Sequence, residues 1–388
     1  MGQNILLGVD TSKASFEIYG VEDGKKPWSK SVDRHNVLRF FANYPKATIV
    51  LEACGGSHYW GRELAKPNGH VVKLIAPNKV RPFRQSNKND RNDARACVLA
   101  SMSPGVNFVP IKDIWQQDIL SLHRIRERHI KNQTALVNEM RGLLLEYGVT
   151  IPVGINNVRS LVPQIIGDEA NRLSSMLRSA IADLHAELLT VTDNIERIDK
   201  QLNGIYRSND VCKRLAQVEG VGALTATAIY ASCPDPSLFK NGRQFAAWLG
   251  LIPGHTQTGG RDSKPIMLGI TKRGDGYLRK LLVQGAMSVA KTAKKAKAEP
   301  TPKTIEPSAP KPQSQAGSPP TRTRKKLKVA QTKRKSASRM AWLGGLIEEK
   351  GMQKAAVAMA NRNARVLWAM LKTGASYNPT MGVRHAKS

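Results

Sequence analysis

The sequence has few cysteines, half as many acids as bases and no long apolar run, and each shortage removes a class of protein. Its four cysteines, Cys54, Cys97, Cys212 and Cys233, are scattered with no close pair. That spacing excludes a CxxC zinc or redox motif and argues against a disulfide framework. No apolar stretch is long enough to span a bilayer and the N-terminus has no signal-peptide pattern, so the expectation is a cytoplasmic protein with no membrane partner. Acids number 30 against 60 Lys and Arg, a net charge of +30. Lys291 to Lys335 holds 14 basic residues against Glu299 and Glu306, a net of +12, which leaves +18 on the rest of the chain. Basicity is therefore chain-wide, and a polyanion is the natural partner. Nucleic acid fits better than a membrane surface because no basic amphipathic anchor stands out.

What is present is enough to fold. A hydrophobic content of 41% over 388 residues predicts two or three cored units. Ile5 to Asp10 and Thr48 to Glu52 are short apolar runs that each end in an acid, the pattern of buried strands delivering Asp10 and Glu52 at their carboxyl ends. Phe16 to Val21 alternates as a strand, Val71 to Ile75 reads as another, and helices are predicted near Val37 to Phe41 and Tyr59 to Ala65. This alternation predicts an α/β domain over 1–110 with a mainly parallel core. Ligands of such sheets bind beyond the carboxyl ends of the strands.

A helical region follows over 111–208. Leu136, Met140, Leu143 and Tyr147 recur at steps of four and three, with basic Arg124, Arg126, Arg128 and Lys131 at positions read as exposed. Leu177, Ile181, Leu184, Leu188, Val191, Ile195, Ile198, Leu202 and Ile205 repeat without a break, which predicts a coiled-coil seam, between chains, as a hairpin within one against the earlier helix, or both. In the mainly α region 209–290, Val218 to Ala226 resembles the turn of a helix-hairpin-helix, which can meet a phosphate, or is a plain glycine turn between core helices. The segment 291–338 is rich in Lys, Pro, Ser and Thr and is expected to be a disordered basic insert, with helical order resuming over 339–388.

Asp90 and Asp93 open a predicted helix, three residues apart, so both carboxylates share one face. Lys88, Arg91 and Arg95 crowd them. Either Asp90 caps the helix and Asp93 favours its dipole, or the pair holds a divalent cation against a phosphate. Asp10 and Glu52 favour the second. Four carboxylates from three elements, converging at one sheet edge, suit two Mg²⁺ ions about 4 Å apart that clamp the attacking and leaving oxygens of a phosphodiester.

These motifs resemble a family. Gly8-Val9-Asp10-Thr11-Ser12-Lys13, Leu51-Glu52-Ala53 and Asn89 to Arg95 look like the DEDD insertion-sequence transposases, relatives of the Piv pilin-gene invertase and of the bridge-RNA-guided recombinases. Gln244 to Pro253 and Gly269 to Asp275, with Tyr277-Leu278-Arg279, resemble that family's C-terminal transposase domain. The resemblance implies a RuvC-like, RNase H-fold N-terminal domain, a helical coiled-coil middle and a mainly α C-terminal catalytic domain. It implies Mg²⁺ held by Asp10, Glu52, Asp90 and Asp93, DNA as donor and target, a noncoding guide RNA, action at the nucleoid, and a homo-oligomer, dimer or tetramer. A serine of the C-terminal domain attacks the DNA and keeps its end as a phosphoester. Here Thr258 stands in that serine's place before Gly259-Gly260, and the nearest serine is Ser263; both are candidates. Lys88, Arg91, Arg124, Arg128, Lys131, Lys264, Lys272, Arg273 and Arg279 are candidate phosphate contacts. Two rivals stand beside this reading: a RuvC-like nuclease without a covalent intermediate, and a nucleic-acid-binding protein whose site has decayed.

Overall fold

Burial with a period of two builds the first sheet. In the computed structural model, which describes residues 4–84, 89–256, 266–298 and 339–378, strand β1 (Ile5–Thr11) buries Leu7 and Val9, and β2 (Ser15–Glu22) buries every second residue. β3 (Trp28–Asp33) and α1 (Val37–Ala42) follow, then β4 (Thr48–Glu52), α2 (Ser57–Ala65), β5 (Val71–Ile75), the short α3 (Pro77–Val80), α4 (Asp90–Met102) and β6 (Phe108–Val109). The strand order is β3-β2-β1-β4-β5-β6. β1 pairs antiparallel with β2 and β2 with β3, whereas β1–β4 and β4–β5 are parallel.

Each face of the sheet has its own core. Leu7, Val9, Ile49, Leu51 and Leu74 pack with Phe41 of α1 and Trp60 and Leu64 of α2. Val50 and Ile75 pack on the other side with Val80 of α3 and Ala96, Cys97 and Ala100 of α4. β1 and β4 are thus covered on both faces, which is why they read as unbroken apolar runs. These elements make up one of two units, Met1–Gln117; the other is Asp118–Ser388.

The second unit is mostly helix. α5 (Ile114–Leu145), α6 (Ile155–Gly167) and α7 (Ser175–Ser208) share a core of Met140, Leu144, Val158, Val162, Ile181, Leu188 and Val191. Arg126 pairs with Asp199 at 2.5 Å and Gln133 donates to Thr192 at 3.0 Å, so seven residues along α5 match seven back along α7. The two helices form an antiparallel hairpin within one chain. The seam differs in detail from its sequence reading. Leu143 and Tyr147 are exposed while Val137 and Leu144 are buried, and Arg126 is half-buried in its ion pair rather than solvated. The buried stripe runs through Leu136, Met140 and Leu144, and α5 ends at Leu145, before Tyr147.

α8 (Asp210–Leu215), α9 (Ala223–Ser232), α10 (Gly242–Trp248), the β7–β8 hairpin (Pro253–Thr256 with Ile266–Ile270), α11 (Gly276–Ala298), α12 (339–350) and α13 (Met352–Thr373) complete this unit. Leu278, Leu282 and Ala286 of α11 share a core with Leu343 of α12 and Met359, Ala360 and Leu367 of α13. Chain before and after residues 299–338 therefore builds one core. Order extends past Lys291, because α11 continues to Ala298. The rest of the expected insert, 299–338, lies outside the described residues. The glycine turn at 218–222 is used for packing: a Cβ on Gly285 of α11 would lie 1.8 Å from the Gly220 carbonyl oxygen. Among the described residues, no helix is long and apolar enough to cross a membrane.

Candidate active site

Parallel register brings the first two acids together. Val9 pairs with Leu51, so Asp10 and Glu52 leave the carboxyl edge of the sheet side by side. α4 then lies directly on β1. At Gly8 an added Cβ would sit 2.0 Å from the Ala94 carbonyl oxygen, so only glycine allows this approach. Asn89, not Asp90, caps α4, its side chain accepting from the Asn92 backbone N–H at 2.7 Å. Capping is thereby excluded as the role of Asp90. Asp90 is exposed and Asp93 buried in the same first turn.

The charge of the four acids is felt at Asp10. Its carboxyl is pushed up to about 6, first by burial, then by the negative charges of Asp90, Asp93 and Glu52, against a backbone hydrogen bond at Thr11. Cys97, packed beneath, is pushed up to about 12 by burial and by the charges of Glu52, Asp10 and Asp93, so it stays a thiol.

Among the described residues, the cation that enters this cluster is not one the sequence suggested. Arg84 donates to Glu52 Oε2 at 2.6 Å and lies 2.9 Å from Asp93 Oδ1, bridging β4 and α4. Arg91 and Arg95 of α4 are exposed, and Lys88 lies outside the described residues. Arg84 follows the Arg81-Pro82-Phe83 turn, where neither periodicity nor spacing marks it.

Four carboxylates and one guanidinium leave net negative charge, and oxygen donors of this kind suit a hard divalent cation. Among the described residues, no three His, Cys, Asp or Glu side chains converge closely enough to hold an ion as they stand. The set fits such an ion in donor type and charge, with Arg84 bridging two of the donors. A cleft of about 730 Å³ lies at the opposite end of the strands, lined by Leu6, Lys46, Thr48 and Phe108, away from the acids.

In the second unit, two glycines interlock the turns expected near the hydroxyl. A Cβ on Gly274 would lie 1.9 Å from the Trp248 carbonyl oxygen, and one on Gly250 would lie 2.3 Å from that of Arg273. Arg279 donates to the Leu249 carbonyl at 3.1 Å, which makes it part of this joint, whereas Lys272 and Arg273 are exposed. Asp275 caps α11, accepting from Tyr277 and Leu278 backbone N–H groups at 2.9 and 3.0 Å. Thr258, Ser263 and Lys264 lie outside the described residues. Arg124, Arg128 and Lys131 are exposed on α5, at positions that share one helix face.

Known proteins cover both halves of this arrangement. A model described as "Transposase IS116/IS110/IS902 family" matches residues 212–300, and a DEDD-type IS110 model described as "Transposase" matches 7–149. The "Probable family 20 transposase" of Pseudomonas aeruginosa is 34% identical, with 96% of this chain and 98% of that protein covered. The chain belongs to the IS116/IS110/IS902 transposase family. The "Transposase for insertion sequence element IS1111A" of Coxiella burnetii is also 34% identical, over 96% of this chain and 91% of that protein. A putative transposase of Sinorhizobium fredii is 35% identical, over 98% and 87%. In this member of the transposase family, the acids lie within the first matched stretch and the interlocked glycine turns within the second.

His123 on α5 went unmarked in the sequence. It is buried, with the Tyr277 hydroxyl 2.8 Å from Nδ1 and Thr227 Oγ1 3.1 Å from Nε2. The Thr227 hydroxyl donates to the Ala223 carbonyl at 2.9 Å, so it accepts from Nε2–H and leaves Nδ1 to accept from Tyr277. Burial first, then the charge of Arg126, lowers the imidazole to about 4. It is a neutral strut between α5, α9 and α11.

Proposed function

We propose that the chain is a Mg²⁺-dependent recombinase of an insertion sequence, cutting and rejoining donor and target DNA under the guidance of a noncoding RNA. The observation that carries this reading is the gathering of Asp10, Glu52, Asp90 and Asp93 about one sheet edge, with more negative charge than Arg84 cancels. Three antiparallel strands continued by parallel ones, with acids at the carboxyl edge, support an RNase H-like, RuvC-like first domain. The α5–α7 hairpin supports the coiled-coil middle, and the exposed stripe Arg124, Arg128, Lys131 supports phosphate contact there.

Mg²⁺, as one or two ions on these carboxylates, would stabilise charge on the attacking and leaving oxygens. Asp10 and Glu52 are set by strand register, and Asp90 and Asp93 by the approach of α4 over Gly8. The Thr258 or Ser263 hydroxyl attacks phosphorus: an Oγ–P bond forms, the P–O bond to the departing strand breaks, and the proton ends on the released oxygen. The phosphoester then retains the bond energy for rejoining. The family's guide RNA and tetrameric synapse are carried into this reading as its partners, and a chain-wide net charge of +30 suits both nucleic acids.

Glu52→Gln and Asp93→Asn, made singly, are expected to lower excision and reinsertion of a marked element by about a hundredfold or more. Full recombination by both would sink the acidic-site reading. Thr258→Val and Ser263→Ala separate the covalent route from RuvC-like hydrolysis, since the latter survives both substitutions and their combination. Sequencing the RNA that co-purifies tests guidance: recombination by protein free of any discrete RNA rejects it.

A further inference from the structure

A row of arginines runs across α10 and α13, and among the described residues none of them has a carboxylate in an ion pair. Arg362 and Arg365 lie three residues apart on α13 and share a face. The start of α10 presses on that face, because a Cβ on Gly242 would lie 3.0 Å from the Arg365 Cα. Arg243, the next residue, is exposed beside it. Arg362 lies over the Trp342 ring at 5.0 Å. The Nε atoms of Arg362 and Arg365 are buried without a hydrogen-bond partner. Among the described residues, no carboxylate pairs with Arg243, Arg362 or Arg365.

The next arginine inward shows what a neutralised member looks like. Arg339 of α12 is buried, paired with Glu219 at 2.7 Å and hydrogen-bonded to Tyr377 and Asn363. Glu219 also accepts from the Tyr377 hydroxyl on the same oxygen. Arg362 and Arg365 are held below the ordinary guanidinium range, first by burial; then Arg339 and Arg365 act on Arg362 against the opposing pull of Tyr377 and Glu219, and Arg243 acts on Arg365. Cover for apolar surface explains Arg362 over Trp342. It does not explain why Arg243 and Arg365 stand together. An anion bound between them would remove the repulsion and use the planar donor forks.

We propose that Arg243, Arg362 and Arg365 form a contact for the phosphodiester backbone of a nucleic acid on the face where α10 meets α13. This rests on the reading of the chain as a nucleic-acid enzyme. The contact is with phosphate, so it is independent of base sequence. Duplex DNA and RNA offer the same group, and the test separates them.

Full-length protein is titrated with fluorescent duplex DNA in one arm and single-stranded RNA in the other, over a range of salt. Arg243→Gln/Arg365→Gln is expected to bind about tenfold more weakly at low salt. Its slope of log affinity against log salt should be shallower by about 0.9 per lost contact on duplex DNA and about 0.7 on a single strand. Arg365→Lys keeps the charge and most of the slope. Arg243→Gln alone sits at an exposed position, so its slope reads the contact even where Arg365→Gln unfolds. A loss in one arm assigns the contact to that nucleic acid, and a loss in both assigns it to either. Unchanged slopes in both arms, with wild-type protein binding normally, overturn the proposal. Wild-type protein that binds neither probe overturns both the proposal and the reading beneath it.

Discussion

Gly8→Ala tests whether the acidic cluster depends on one backbone approach. The new methyl would lie 2.0 Å from the Ala94 carbonyl oxygen and 2.8 Å from Val98 Cγ2. Ordinary contact begins at 3.4 Å, so α4 must retreat by about 1.4 Å at that point. The obstacle is main chain, so no rotamer change relieves it. Overpacking of this kind costs about 1–3 kcal/mol, which lowers the melting temperature of a domain this size by roughly 5–15 °C. Asp90 and Asp93 ride on the displaced helix, and misplacement by about 1 Å costs on the order of a hundredfold in rate. The assays are thermal unfolding by circular dichroism and excision of a marked element. Gly55→Ala is the control, because Gly55 lies near Glu52, has nothing within 4 Å of its Cβ position and does not adopt positive φ. A Gly8→Ala protein with wild-type melting and excision would refute the argument that α4 approaches β1 only over glycine.

Arg84→Gln removes the guanidinium bridging Glu52 and Asp93, and is expected to tighten Mn²⁺ binding about tenfold or more by calorimetry while destabilising the metal-free protein by about 1–3 kcal/mol. Unchanged Mn²⁺ affinity would show that Arg84 and the ion do not share these oxygens. His123 has its proton affinity lowered from 6.5 to about 4, so below 6.5 the unfolded chain binds a proton that the native one refuses. Its stabilising contribution is present above pH 6.5 and is lost as pH falls from 6.5 towards 4, about 3 kcal/mol in all; His123→Gln should flatten that part of the stability–pH curve. Gly285→Ala would place a methyl 1.8 Å from the Gly220 carbonyl oxygen, and a melting temperature within about 2 °C of wild type would contradict that packing.

The strands and their terminal acids were legible because a strand covered on both faces must be apolar throughout, and an acid closing such a run has only the sheet edge to occupy. The start of α4 was legible to within its cap. Asn89 and Asp90 are both capping residues, and the extended backbone that decides between them is not written in residue type. The α5 stripe lies one position from its sequence reading at Leu143, since periodicity resolves a face but not which of two adjacent residues turns inward, and Tyr147 falls beyond the end of the helix at Leu145. Whether the α7 seam closes within the chain could not be read from a repeat that serves either purpose; Arg126–Asp199 and Gln133–Thr192 show the closure inside one chain.

Charge placement was the least legible part. Arg91 and Arg95 stand closest to the acid pair in sequence, yet a helix points them outward, and the cation that reaches the carboxylates comes from a turn ahead of α4. Arg243 is likewise distant from Arg365 in sequence and meets it only because Gly242 lets α10 touch α13. In both places a glycine without a side chain sets how closely charged groups gather, and the charges alone carry no trace of it. Like charges brought together by backbone contact stay together without counterions, because retreat would break the packing that holds them. Gly8→Ala should therefore relieve the crowding around Asp10 even in protein that has never met a metal ion. An Asp10 that still titrates near 6 in that variant would mean burial alone sets its proton affinity, and that Asp90 and Asp93 contribute little to the site's charge.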